Sequence, residues 1–238
     1  MRSYGVVSNT FYELKPASAD YFSKVVGRKI WCIGPVPLCN RENTGKKSQR
    51  GKQSTIDEND CLKWLDSKQP DSVVYKNKEE EKEEWLPEGF EKRNEGRGLV
   101  IRGWAPQWLI LDHEAVGGFM THCGWNSILE GVAAGVSMVT WPVAFEQIYI
   151  ESLVTEVLKI GTNVGVQKYV ELMGDSIHRE AIKKALIQIM VGDEAEEIRN
   201  RVKALARIAR QALKEGGSSD SDLNALIEEL SVRSLKLK

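Results

Sequence analysis

The stretch Trp104–Gln147, WAPQWLILDHEAVGGFMTHCGWNSILEGVAAGVSMVTWPVAFEQ, decides the fold. A short helix near Pro106–Leu111 is followed by a strand over Gly117–Thr121. A helix over Asn126–Ala134, a strand over Ser137–Thr140 and a further helix beginning near Gln147 come next. Strands separated by helical segments of this length predict an α/β fold, a doubly wound parallel sheet with helices on both faces.

The pattern extends outward in both directions. Upstream, Leu99–Gly103 reads as a strand, and SVVY (Ser72–Tyr75) has the β-branched content of a buried one, preceded by a helix from Asp57 with Leu62 and Leu65 on one face. Downstream, Thr162–Val166 reads as a last strand. Ile177–Met190 and Ala195–Glu215 read as amphipathic helices, Gly216 and Gly217 stop the second, and Ser219 or Asp220 caps a final helix through Leu230. At the start, Tyr4–Asn9, Pro16–Val26 and Lys29–Ile33 read as strand, helix and strand, closed by Gly34 and Pro35. The basic run RENTGKKSQRGKQST after Pro37 has too few apolar residues to pack a core and reads as a linker. The charged segment KNKEEEKEEWLPEGF directly after SVVY belongs in solvent, although a strand there should feed a crossover helix.

The 238 residues, 42% apolar and 28% charged, suffice for one ordinary domain with a small appendage. Lys and Arg total 33 against 34 Asp and Glu, so no global field recruits nucleic acid or an anionic membrane. MRSYGVVSNT has no apolar leader core, and no uninterrupted apolar run reaches membrane-spanning length, so a cytoplasmic location is expected. Cys32, Cys39, Cys61 and Cys123 form no CxxC pair and have no His at zinc spacing, which predicts reduced thiols, no metal and no disulfide framework.

Ligands of doubly wound sheets bind beyond the carboxyl ends of the strands, where Trp104, His122–Ser127 and Pro142–Gln147 fall. HCGWNS supplies a His, a Gly that permits close backbone approach, and Asn126 and Ser127 opening a helix. Free N–H groups and the helix dipole suit a phosphate or diphosphate there, with His122 and Ser127 as donors; ordinary capping by Asn126 and Ser127 is the plainer alternative. Trp104 could stack on a flat base or simply pack a core. Glu130 could accept from two ribose hydroxyls or be a solvated carboxylate. Glu146 and Gln147 offer carboxylate and amide oxygens to a polyhydroxylated ligand, or cap the start of a helix. Base platform, ribose acceptor, diphosphate site and sugar clamp fall within 44 residues. A nicotinamide-dependent dehydrogenase has the same sheet class but needs GxGxxG after its first strand and an acidic residue about 20 positions on, a pattern not found here.

Nearly end to end, this stretch is similar to the signature box of plant secondary-product glycosyltransferases, inverting enzymes with the two-Rossmann-domain GT-B fold. The resemblance implies that Trp104 stacks on uracil, that Ala105 offers its backbone to the base, and that Gln107 and Glu130 bind ribose hydroxyls. It also implies that His122, Trp125, Asn126 and Ser127 hold the diphosphate while Glu146 and Gln147 hold the sugar. A box ending in Gln implies UDP-glucose as donor, with no separate cofactor. GRKIWCIGP, CLKWLDSKQPDSVVY, EEWLPEGF, GRGLVIRGWAPQ and EGGSSDSDLNALIEEL extend the likeness to the C-terminal half of members that glycosylate hydroxyls of flavonoids, terpenoids and related small hydrophobic acceptors.

On this alignment residues 1–36 are the end of the acceptor domain, 37–56 the interdomain linker, 57–215 the UDP-sugar-binding domain and 216–238 a C-terminal helix. The rest of the acceptor domain, with its catalytic His held by an Asp, has no counterpart. Ser137 stands where the family has Pro, and Ile150 where it has Asn. At the Tyr75–Lys76 join, the family's Ser-containing loop, helix and second strand are missing, a βαβ portion of about 30 residues, and an exposed strand edge is expected. Inverting transfer needs a general base. His122 is assigned to phosphate, His113 to a structural role and His178 to a helix start, which leaves no catalytic residue to name. The chain is expected to be a truncated glucosyltransferase that does not turn over alone; the alternative is a non-catalytic UDP-sugar-binding module.

Overall fold

The computed structural model describes residues 3–39, 56–76, 86–166 and 177–236. Two sheets form, both wholly parallel. Strands β1 (Gly5–Ser8) and β2 (Lys29–Cys32) pair with each other, while β3 (Val73–Lys76), β4 (Val116–Thr121), β5 (Ser137–Thr140) and β6 (Gly161–Asn163) lie side by side in that order. The helices are α1 (Pro16–Lys24), α2 (Val36–Cys39), α3 (Glu58–Asp66), α4 (Phe90–Arg93), α5 (Gln107–Leu111), α6 (Trp125–Ala134), α7 (Phe145–Ser152), α8 (Arg179–Met190), α9 (Ala195–Ala212) and α10 (Ser218–Lys236).

The larger sheet is buried on both faces, which is why β4 and β5 read as unbroken runs of small and apolar residues. Successive residues face opposite layers: Phe119 and its neighbour across the ladder, Met138, join the core beneath α3, α5, α6 and α9, whereas Met120 and Val139 meet Ala185 and Ile189 of α8. The α6 helix carries the chain from β4 to β5 and ends on Gly135 in a left-handed conformation (φ 77°).

Leu99–Gly103 departs from expectation, because it runs irregularly and joins no sheet. A doubly wound sheet has the order 3-2-1-4-5-6, in which the third strand bonds only to the second. Here the described strands run β3-β4-β5-β6 with none beyond β3, so Leu99–Gly103 has β propensity but no described ladder to join. Among the described residues, nothing pairs with the outer edge of β3. Strand β6 begins one residue before the predicted Thr162–Val166 and ends three residues short of its close, and α7 begins two residues before Gln147.

The final helix runs past Leu230 to Lys236 and lies against β2. Ser219 does not cap it; its buried Oγ donates to the Gly34 carbonyl at 2.6 Å, while Asp222 accepts from the Cys32 amide at 2.7 Å. Asp220 accepts from the Gly216 amide at 3.0 Å. Phe11 and Leu14 sink into the same core as Val202 and Ala209, which ties the N-terminal strand pair to α9. Most of the expected 37–56 linker and most of the charged run after Lys76 lie outside the described residues.

Cys32, Cys61 and Cys123 are buried free thiols. Burial pushes Cys32 up to about 11 and Cys123 up to about 12, so both are protonated and shielded at neutral pH. Iodoacetamide at pH 8 will therefore leave these three unmodified in the folded chain and alkylate them after denaturation. Peptide mass mapping checks this, and native alkylation of Cys123 would show that β4 opens.

Among the described residues, no helix is long and apolar enough to cross a membrane, and no three His, Cys, Asp or Glu side chains gather as a metal site.

Candidate functional site

The turn between β4 and α6 re-aims the chain within three residues. Thr121 ends the strand, and Cys123 adopts a positive φ of 70°, a conformation that costs a non-glycine residue about 1–2 kcal/mol. Its amide is held by Thr121 Oγ1 at 3.3 Å. Gly124 then opens α6 in extended geometry (φ −60°, ψ 135°). The His122 ring folds back over Gly124 so closely that a Cβ there would lie 2.4 Å from Nε2. The imidazole therefore sits against the first turn of α6, whose leading N–H groups have no carbonyl within the helix. Positive dipole, donor amides and a ring nitrogen converge on one spot at the carboxyl end of β4, a place suited to an oxyanion.

Beside it lies a polar cluster. Gln107, at the start of α5, donates through Nε2 to the Glu130 carboxylate and, at 3.4 Å, to Ser127 Oγ. Ser127 is buried, and Glu130 is half-buried one turn further along α6. Burial holds the Glu130 carboxyl above the ordinary carboxylate range, partly offset by the Gln107 bond. Two sequence-distant side chains thus meet as a carboxylate and an amide facing one another, groups whose acceptor oxygens can bond hydroxyls.

Trp104 is half-buried on the irregular segment just after Gly103, and the Ala105 carbonyl accepts from the Gln107 amide at 2.8 Å. Trp125 and Asn126 do not stand alone. Indole Nε1 donates to the Asn9 carbonyl at 2.7 Å, and Asn126 Oδ1 accepts from Asn9 Nδ2 at 3.1 Å. Glu146 is exposed at the opening of α7. Gln147 is buried, and its Oε1 accepts from the amides of Val143 (2.8 Å) and Ala144 (3.0 Å), so its amide oxygen closes the helix start.

Asn9 was legible in the sequence only as the end of a strand, and nothing in its local pattern signals a partner 117 residues away. His113 proves structural: Nδ1 accepts from the Ala115 amide at 3.2 Å, which leaves Nε2 to donate to Asp66 at 3.0 Å. Glu151 likewise escaped notice. Its Oε2 lies 2.7 Å from Thr140 Oγ1, which also sits 3.2 Å from the Thr162 carbonyl oxygen. One hydroxyl proton cannot serve both oxygens. A protonated Glu151 donating to Thr140, which donates to Thr162, satisfies all three, and burial pushes the Glu151 carboxyl up in that direction.

Residues 67–190 match the family model described as "UDP-glucoronosyl and UDP-glucosyl transferase". The chain is 52% identical to UDP-glucose flavonoid 3-O-glucosyltransferase 7 of Fragaria ananassa over 270 residues, covering 96% of this chain and 55% of that protein. That matched stretch is longer than the chain itself, so the relative carries residues within it that have no counterpart here. Among solved structures, Glycyrrhiza uralensis UGT73P12 complexed with glycyrrhetinic acid 3-O-monoglucuronide superposes with a TM-score of 0.83 at 35% identity, covering 98% of this chain and 55% of that one. A transferase from Siraitia grosvenorii in complex with UDP gives 0.79 at 29% identity, covering 96% and 60%. The chain spans about half the length of the curated relatives it matches. The parallel sheet, its strand order from β3 to β6 and the turn that opens α6 lie wholly within the span of the family model, and the chain belongs to the UDP-glucuronosyl and UDP-glucosyl transferase family.

Proposed function

We propose that the chain binds a UDP-sugar, with UDP-glucose preferred, as the donor half of a cytoplasmic glycosyltransferase acting on hydroxyls of small plant metabolites such as flavonoids or terpenoids. The observation that carries this is the meeting of Gln107, Ser127 and Glu130 beside the His122-covered start of α6. A hydroxyl-binding pair next to an oxyanion site has the spacing chemistry of a nucleoside diphosphate: ribose hydroxyls on Glu130 and Gln107, diphosphate on His122, Trp125, Asn126, Ser127 and the α6 amides. Trp104 and the Ala105 backbone then take the uracil, and Glu146 with Gln147 the sugar. Residues 57–215 form the donor domain, with the missing segment falling after β3, where the outer edge of β3 and Leu99–Gly103, both without a ladder partner among the described residues, support it.

In the reaction the α6 terminus and His122 would stabilise the charge that develops on departing UDP. Binding without turnover by this chain alone is the second possibility, favoured by the placement of its three histidines. His113 is bonded on both ring nitrogens, His122 lies at the phosphate site, and His178 precedes the first turn of α8.

Calorimetry with UDP and UDP-glucose tests the assignment. Saturable binding is expected, weakened about tenfold by Trp104→Ala, the scale of one aromatic stacking contact. Failure of the folded chain to bind would overturn it. UDP release dependent on a flavonol would overturn the binding-only possibility. Acidification adds a signed check. Ribose hydroxyls donate more strongly to ionised Glu130 than to its neutral acid, and its carboxyl is held above the usual range, so uridine affinity falls as pH drops from neutral toward that raised value. The apo fold responds in the opposite sense: the contribution of neutral Glu130 is fully present below the unfolded value and is lost as pH rises through the folded one. Glu130→Gln removes both dependences.

A further inference from the structure

Asn9 directly follows β1 of the N-terminal strand pair and lies outside the signature stretch, yet it touches that stretch twice. Its Oδ1 accepts from the Val36 amide at 3.0 Å, its Nδ2 donates to Asn126 Oδ1 at 3.1 Å, and its own carbonyl accepts from Trp125 Nε1 at 2.7 Å. The bonds to Trp125 and Val36 fix Asn9 at backbone and side chain, and Gly34 makes room for it: a Cβ on Gly34 would lie 2.6 Å from Asn9 Oδ1 and 2.7 Å from the Thr10 amide.

The chemistry of the amides then leaves one arrangement. Side-chain amide orientation is decided by hydrogen-bond partners. A backbone N–H only donates, so the Asn9 atom facing Val36 must be its oxygen, and its NH2 must face Asn126. An NH2 group facing Asn126 requires oxygen there in turn, which turns the Asn126 NH2 the other way.

We infer that Asn9 is a positioning residue for the anion site: through a relay Val36 N–H to Asn9 to Asn126, it locks the Asn126 side chain with its NH2 presented as a donor to the diphosphate. This rests on the donor-site assignment above. The relay also links that site to the N-terminal strand pair, 117 residues away in sequence.

Asn9→Asp tests it, because aspartate keeps the acceptor for Val36 but cannot donate to Asn126. Asn126 then reverses to donate toward residue 9 and points its oxygen at the phosphates. Calorimetry with UDP and with uridine on the full chain should show UDP affinity reduced about tenfold, the scale of one hydrogen bond to a charged group, and uridine affinity unchanged. The new carboxylate could also repel UDP through space, so the same substitution is made in an Asn126→Ala background. There a relay effect disappears and a through-space effect persists. Unchanged UDP affinity in Asn9→Asp, a full loss persisting without Asn126, or a parallel loss of uridine affinity would each overturn the inference. If the folded wild-type chain binds neither uridine nor UDP, the donor-site assignment itself fails; if it binds uridine and gains nothing from the diphosphate, only the phosphate role of Asn126 fails.

Discussion

Phe119→Ala lowers the unfolding free energy by about 3–5 kcal/mol, the range for emptying an aromatic site in a well-packed core. Phe119 is 0% exposed on β4, the strand that joins β3 to β5, and every residue of that strand is buried. Its ring stacks on Tyr75 of β3 at 5.6 Å between centroids, and Met138 stands opposite it on β5. On the third side a Cβ at Gly131 would lie 3.2 Å from its Cδ1, so α6 approaches at backbone distance and cannot collapse further into a void. Three elements thus lose contacts in one substitution. Marginal domains have about 5–15 kcal/mol in total, and among the described residues nothing pairs with the outer edge of β3, so the variant also becomes prone to edge-to-edge association. Urea unfolding followed by far-UV circular dichroism gives the change. A loss below about 1 kcal/mol would mean that the three walls relax onto one another, contrary to the close approach of Gly131.

Strands β4 and β5 were legible almost to the residue, because short apolar runs, one opening at Gly117 and the other just after Gly135, leave few alternatives. Their helices followed from the spacing between them. Leu99–Gly103 was misread for a reason of range: β propensity is local, but a strand exists only when a neighbour supplies the other half of the ladder. Ser219 shows the opposite error, and Gln147 shows why two readings of a polar residue stayed open. Ser219 has a capping residue's composition and instead holds Gly34, 185 residues away, while Gln147 resembles a ligand contact yet lends its amide oxygen to the start of α7. Polar side chains have several possible partners, and composition does not choose between them. Ser127 and Glu130 were offered from their positions beyond the strand ends and Gln107 only from resemblance, and their direct bonding became visible only once α5 and α6 were set side by side on β4.

Gly124→Ala leaves the fold in place and removes roughly 10- to 100-fold of UDP affinity, the equivalent of one charge-assisted hydrogen bond of about 1.5–3 kcal/mol. The new Cβ would lie 2.4 Å from His122 Nε2 and 2.9 Å from its Cε1. Something must move, and the imidazole is the far end of a side chain, whereas the backbone of Gly124 is already in a region open to alanine. The ring therefore swings away from the first turn of α6. Stability changes by no more than about 1 kcal/mol, the scale of exchanging a helix-capping residue. Uridine, which has no phosphate, keeps its affinity because Trp104, Gln107 and Glu130 are untouched. The quantity to measure is the ratio of UDP to uridine affinity in the variant against the wild-type chain, with thermal unfolding as the control for folding. A preserved ratio would mean that the imidazole lies against α6 without serving the phosphates, and the oxyanion site would then consist of the helix amides with Trp125, Asn126 and Ser127.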